Sequence, residues 1–335
     1  MPATTNREIR LAQRPHGLPD GSTFELVEGP LPEPGAGEVL VRNIYMSVDP
    51  AMRGRMNDVR SYAPPFELGA TLQGGAIGRV VASNYSSVAM GDLVQSGLGW
   101  REYFAAPAAS LTRIEQGDVP LTHHLGVLGG TGFTAYIGMF DIGQPKRGET
   151  VFVSAAAGAV GSVAGQIAKL EGCRVIGSAG SDEKCDWLTR DLGFDAAFNY
   201  KKTTPDEALT EHAPDGIDVY FDNVGGEISE AVVPRMNVGG RISVCGQISQ
   251  YNLSAPEMGP RQTWHFIVKR LTMRGFLVFD FAERYDEALR QLAGWIDAGQ
   301  LSYREDIVAG LENAPAAFIG MLTGDNIGKR LIHLG

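Results

Sequence analysis

The segment VFVSAAAGAVGSVAGQIAKL, Val151 to Leu170, constrains this chain more than any other. An apolar, β-branched run leads into it. An amphipathic stretch leads out, with Val160, Val163, Ala164, Ile167 and Leu170 recurring at helical spacing. Between them lies a turn of small residues. Ala156 stands where a dinucleotide-binding turn has its first glycine, and Gly158 and Gly161 supply the other two. Small residues matter there because backbone N–H groups at a helix N-terminus can touch a pyrophosphate only where no side chain intervenes. A second strand, CRVIGSA, follows at the distance expected of a βαβ unit.

That second strand predicts which dinucleotide. A site for the unphosphorylated coenzyme usually ends this strand with Asp or Glu, to bind the ribose hydroxyls. Here the strand ends in Ser178, Ala179 and Gly180, and Lys184 follows at a helix start. A carboxylate would repel a 2′-phosphate, so this pattern favours NADP(H). Asp182 is the expected N-cap of the helix SDEKCDWLTRDLG.

The wider texture agrees. Strand-like and helical stretches alternate through ETVFVSA, CRVIGSA, AAFNY, IDVYFDNVG and GGRISVCG for roughly 180 residues, which implies a parallel sheet with right-handed crossovers. The first 125 residues read differently, as short strands such as GEVLVRNIYMSVD, AIGRVVAS and REYFAA between the turn signals PEPGAGE and MGD. Mixed structure returns from Tyr303 and ends in the strand GKRLIHL. A chain of 335 residues exceeds what one core usually supports, so two domains are expected.

Other chemistries find no footing. A net charge of −10 argues against nucleic acid as a main partner. The six histidines and three cysteines form no HExxH, no CxxC and no zinc-spaced group, and no G-x-S-x-G turn occurs. Three scattered cysteines, a polar N-terminus and no long apolar run predict a cytoplasmic protein without disulfides, membrane spans or a metal.

Longer motifs carry a family resemblance. AAAGAVGSVAGQIAKLEGCRVIG, SDEKCDWL, GFDAAFNY, YFDNVGGE, RISVCGQISQYN, GFLVFDF and GDNIGKRLI together resemble the zinc-independent medium-chain dehydrogenase/reductases. The branch is that of leukotriene B4 12-hydroxydehydrogenase and prostaglandin reductase. QRPHG, SVDPAMRGRM and SYAPPFELG look most like bacterial NADPH-dependent curcumin reductases, although Ala51 replaces a bulkier Tyr. The resemblance implies an α/β fold in which a Rossmann doubly wound parallel sheet, residues 126–302, is inserted into a GroES-like β-rich catalytic domain, residues 1–125 and 303–335. Zinc-dependent relatives carry a Cys where Ser47 and Asp49 lie here, and GATLQGGAIG lacks their His-Glu.

Carried over by motif, Gly158, Ala159, Val160 and Gly161 should meet the pyrophosphate, and Lys184 and Tyr200 the 2′-phosphate end. Asn223 closes the next strand. Cys245, Gly246, Gln247, Ile248, Ser249 and Tyr251, with Phe276, Leu277 and Val278, should flank the nicotinamide, and Asn326 should close over it. The implied reaction is reduction of the C=C bond of an α,β-unsaturated ketone or aldehyde, in a homodimer. Tyr251 is the expected proton donor, with Tyr62 the second candidate and solvent another source, and Arg53 is a candidate either for orienting substrate or for a structural ion pair with a carboxylate. Quinone reduction, oxidation of a lipid hydroxyl and non-catalytic NADPH binding are the competing readings.

Overall fold

In the computed structural model, residues 4–115, 117 and 119–335 are described. The chain divides into two compact units. The first comprises Met1–Leu125, Glu305–Asn326 and Arg330–Gly335; the second comprises Gly126–Arg304 and Ile327–Lys329.

The first unit opens with a hairpin-like pair, β1 (Thr5–Leu11) antiparallel to β2 (Phe24–Pro30). Then come β3 (Glu38–Ser47), the short helix α1 (Ala51–Arg55), β4 (Ala76–Ser83), β5 (Leu93–Ser96), β6 (Tyr103–Pro107) and β7 (Thr112–Ile114). The motif reading named β3, β4 and β6 but neither β1 nor β2. Charge hides β1, whose Arg7 pairs with Glu102 at 2.6 Å while Ile9 and Leu11 point inward.

The second unit begins with α2 (Gly130–Ile137), which runs into a π-helical turn over Gly138–Gly143. Strand and helix then alternate as their periodicity dictates: β8 (Thr150–Val153), α3 (Ala159–Leu170), β9 (Arg174–Ala179), α4 (Asp182–Arg190), β10 (Ala196–Asn199), α5 (Pro205–His212), β11 (Ile217–Asp222), α6 (Gly226–Val232) and β12 (Met236–Val244). After α7 (Thr263–Lys269) the edge strand β13 (Thr272–Gly275) joins, and α8 (Tyr285–Asp297) follows. All five pairings are parallel, in the order β10-β9-β8-β11-β12-β13. This is a doubly wound sheet, and its order reverses between β8 and β11. Ligands of such sheets lie beyond the carboxyl ends of the strands at that reversal.

Successive strand residues feed opposite cores. Val151, Val153, Val219 and Phe221 pack with α2, α3, α4 and α8, whereas Phe152, Ile176, Tyr220 and Ile242 pack with α5 and α6. Cover on both faces explains why the central strands of this sheet, β8 and β11 above all, are largely apolar. No helix among the described residues is long and apolar enough to cross a membrane.

The chain returns to the first unit through β14 (Glu305–Ala309), α9 (Ala314–Thr323) and β15 (Lys329–His333). The larger sheet there runs β14-β15-β3-β4-β5-β7, with β6 on β3. Its core centres on fully buried Trp100, stacked on Phe24 at 5.9 Å, with Phe318 of α9 edge-on to both.

Between these returns, Ile327–Lys329 stays with the second unit. The Gly328 N–H donates to the Ala157 carbonyl at 2.8 Å, fastening this segment to the small-residue turn. Gly328 has φ +69°, and a Cβ there would sit 2.1 Å from the Arg304 carbonyl oxygen. Gly328→Ala should therefore lower unfolding free energy by about 2 kcal/mol or more. Denaturant titration of both proteins measures this, and equal midpoints would refute it.

Candidate active site

At the reversal point, Ser154–Ala157 turn sharply between β8 and α3. Ala155 adopts φ +47°, and Gly158 caps α3 in extended conformation with no side-chain hydrogen bond. Ala156, in place of the first glycine, is fully buried and donates its N–H to the Ser178 carbonyl at 2.9 Å. Its methyl is tolerated because β9 presents Gly177 opposite, where a Cβ would lie 2.8 Å from it. The fingerprint's missing glycine has thus moved to the neighbouring strand. The first N–H groups of α3, at Ala159, Val160 and Gly161, meet no side-chain cap, as an anion-binding helix end requires.

At the end of β9, Ser181 rather than Asp182 is the N-cap of α4, accepting the Lys184 N–H at 3.3 Å. Ser181 has the extended backbone an N-cap needs, which leaves Asp182 as the first helical residue. The Asp182 carboxylate accepts from Asn199 Nδ2 at 2.8 Å and from Lys202 Nζ. Those two donors hold its pKa below the usual carboxylate value. The Lys184 side chain is buried. Tyr200 donates its N–H to the Ala179 carbonyl, and its hydroxyl lies 3.0 Å from where a Cβ on Gly180 would stand, so the phenol overhangs the strand end.

Beneath the turn lies a polar cluster that motif reading missed. Asp222, buried at the end of β11, accepts from Tyr220 Oη (2.7 Å), Ser229 Oγ (2.6 Å) and the N–H groups of Val224 (2.9 Å) and Gly225 (2.8 Å). Ser154 Oγ lies 3.3 Å from the same carboxylate and accepts the Asn223 N–H at 2.9 Å. The Asn223 amide donates to the Ser154 carbonyl at 2.8 Å, joining the ends of β8 and β11. The available signal was two polar residues, Ser154 and Asp222, closing otherwise apolar strands.

The segment Cys245–Tyr251 hangs from this cluster. Cys245 and Gly246 donate their N–H groups to the Asp222 carbonyl, Ile248 donates to that of Asn223, and Ser249 to that of Val224. Tyr251 folds back so that its oxygen accepts the Gln247 N–H at 3.2 Å. On the adjoining strand end, Phe276 and Val278 pack against the core while Leu277 stays partly exposed.

In the first unit the structure corrects one expectation. Arg53 is buried, and its guanidinium donates to the Gly17 carbonyl at 2.8 Å and to Asn57 Oδ1 at 2.8 Å. It pins the loop around Gly17 instead of presenting a charge to substrate. Tyr62 is exposed on the segment between α1 and β4, and Asn326 directly precedes the Ile327–Lys329 segment. Ser47 donates to Asp49 at 2.6 Å. Among the described residues no three His, Cys, Asp or Glu side chains gather as a metal-holding group.

Comparison with known proteins places the chain. Residues 7–114 match the family described as the N-terminal domain of oxidoreductase, and residues 159–294 that described as zinc-binding dehydrogenase. The chain belongs to the medium-chain dehydrogenase/reductases, in the branch that holds curcumin, alkenal and prostaglandin reductases. It is 51% identical to a putative NADP-dependent oxidoreductase of Bacillus subtilis, over 98% of each chain. It is 44% identical to the NADPH-dependent curcumin reductase of Escherichia coli, over 98% of this chain and 97% of that one. The crystal structure of CurA from Vibrio vulnificus in complex with NADPH superposes with TM-score 0.94 at 44% identity, covering 98% of this chain and 99% of that one.

None of the three cysteines is disulfide-bonded. Burial, aided by Asp222, pushes the Cys245 thiol up to about 12, and burial with neighbouring carboxylates pushes Cys173 and Cys185 up to about 11. At pH 8 roughly a thousandth or less of each is thiolate, so none is a ready nucleophile. Iodoacetamide at pH 8 should label the native protein far more slowly than the urea-unfolded chain. Rapid single-site alkylation of the native protein, read by mass spectrometry, would contradict this.

Proposed function

We propose that this chain is an NADPH-dependent reductase of the C=C bond of α,β-unsaturated ketones or aldehydes that works without zinc. The observation that carries the coenzyme assignment is the end of β9. No carboxylate closes that strand, Tyr200 overhangs its end, Lys184 follows in the first turn of α4, and Asp182 is paired with Asn199 and Lys202. The relative named for curcumin reduction supports the substrate class.

Bound NADPH supplies a hydride to the β-carbon of the enone. Gly158, Ala159, Val160 and Gly161 offer the N-terminus of α3 to its pyrophosphate, and Lys184 and Tyr200 hold the 2′-phosphate end. Asn223, Cys245, Gly246, Gln247, Ile248 and Ser249 would form one wall for the nicotinamide and Phe276, Leu277 and Val278 another, and Asn326 is a further coenzyme-binding candidate. The chain's catalytic task is to aim a donor at the carbonyl oxygen, where enolate charge develops, and to exclude water. An enolate is far less basic than an alkoxide, so a neutral donor suffices where zinc would otherwise be needed.

Tyr251 is that donor; a proton must then reach the α-carbon, from Tyr251, Tyr62 or solvent, so that the carbonyl re-forms as the C=C bond is lost. A phenol with pKa of about 10 keeps its proton at neutral pH. The Gln247 N–H accepted at its oxygen polarises it further toward giving that proton. Tyr62, exposed on the segment between α1 and β4, is the second candidate donor. With NADPH and a panel of enones, products should retain the carbonyl and lose the double bond, and turnover should exceed that with quinones. Tyr251→Phe should lower kcat about tenfold or more while KM for NADPH stays within about twofold. Unchanged kcat would remove Tyr251 from the mechanism, and no enone turnover by the wild type would overturn the reaction itself.

The protein acts as a homodimer in a reducing, cytoplasmic setting, which its unpaired cysteines suit. Edge strand β13 is exposed along its length, and α7 buries no residue. Trp264 and Ile267 on α7 are each 67% exposed and Phe279, beyond β13, is 74% exposed, apolar side chains that a second copy would cover. Light scattering should give a dimer mass for the wild type and a monomer mass for Trp264→Glu/Ile267→Glu. A monomeric wild type at micromolar concentration would refute the dimer.

A further inference from the structure

The turn that follows β10 carries more than the tyrosine discussed above. The Asn199 carbonyl accepts the N–H groups of Lys202 and Thr203, at 2.9 and 3.1 Å, which winds the chain back toward the start of α4. Asn199 Nδ2 and Lys202 Nζ then both reach the Asp182 carboxylate. Tyr200 and Lys201 hang over Gly180, the Lys201 Cε standing 3.4 Å from a Cβ position there. Five charges therefore meet at this strand end: Asp182 and Glu183 at the front of α4, Lys184 behind them, and Lys201 and Lys202 on the turn.

The Asp182–Lys202 pair is solvent-exposed, with side chains 61% and 65% accessible. Pairs so exposed contribute little to folding. Their field is another matter, because an ionised carboxylate within about a Debye length of a bound phosphate dianion repels it. Coenzyme sites that reject the 2′-phosphate carry a carboxylate at the end of this strand, and Asp182 lies just beyond that position, at the start of α4.

We propose that Lys202 sets coenzyme choice without touching the coenzyme, by cancelling the charge of Asp182 at the 2′-phosphate end of the site. The inference rests on the NADPH reading above. Asn199 is the second half of the device: its amide fixes the carboxylate beside the lysine.

The test uses calorimetric titration of the full-length protein with adenosine 2′,5′-bisphosphate and with adenosine 5′-monophosphate, which differ only in the 2′-phosphate. Wild type should prefer the bisphosphate. Lys202→Met should weaken bisphosphate binding roughly three- to tenfold and leave the monophosphate unmoved, with the gap closing at high salt. Asp182→Asn in the Lys202→Met background should restore the wild-type ratio, because the uncompensated charge is then gone. Monophosphate binding reports in each variant that the site is folded. The KM ratio for NADPH against NADH should follow the same order. If Lys202→Met leaves the two-ligand ratio unchanged, or the double variant fails to restore it, the role assigned to Lys202 is overturned while the phosphate site stands. A wild type indifferent to the 2′-phosphate would overturn the coenzyme reading, and this proposal with it.

Discussion

The buried carboxylate of Asp222 accepts two backbone N–H groups and three hydroxyls, and its own main-chain carbonyl accepts two more N–H groups. Each partner belongs to a segment that lines the carboxyl edge of the parallel sheet. Ser154 opens the turn before α3, Val224 and Gly225 lead into α6, and Cys245 and Gly246 begin the loop that ends at Tyr251. A charge removed from water costs several kcal/mol unless its lone pairs are satisfied, and one so fully satisfied fixes the geometry around it. The turn, the Asn223 corner and the Tyr251 loop are therefore parts of one rigid assembly. Replacement of Asp222 by an apolar residue would strand the Val224 and Gly225 N–H groups and release all three together.

Much of this was legible in the residues. Alternating apolar runs and helical periods gave the doubly wound sheet, because a strand buried on both faces has no polar alternation to blur it. The hairpin of β1 and β2 was not legible. Its charged residues are held in ion pairs such as Arg7 with Glu102, whose partner lies 95 positions away. Strand β13 was equally hidden, since every residue in it is exposed and no apolar pattern marks it. In both cases the structure is stabilised by contacts that local periodicity does not encode.

The site divides the same way. Gly158, Gly161 and the strand end without a carboxylate could be read because they express a local requirement, the close approach of backbone to phosphate. Ala156 looked like a defect in that pattern. Its compensation, Gly177, lies on a different strand and becomes visible only through the pairing of β8 with β9. The partners of Arg53 and Asp182 are illegible in sequence for a related reason. A charged side chain announces its charge in sequence but not its partner, and here the partners are the Gly17 carbonyl and the Asn199–Lys202 turn.

The four helices that directly follow β8, β9, β10 and β11 start at the same edge of the sheet and meet different fates there. Helix α4 is capped by Ser181, and α5 by Thr204 in a reciprocal pair with Glu207. Before α6, Asp222 takes the N–H groups of Val224 and Gly225. Helix α3 is given only Gly158, which has no side chain to offer. A serine or aspartate at that position would stabilise the isolated helix by about 1 kcal/mol and would fill the place an anion needs. The chain uses side-chain caps at α4 and α5 and withholds them at α3 and α6, whose N-caps are Gly158 and Gly225 and which follow the two strands that meet at the strand-order reversal. The omission leaves the first N–H groups of α3 without a side-chain cap, at some expense of local stability, which is the arrangement that lets an anion complete a helix start.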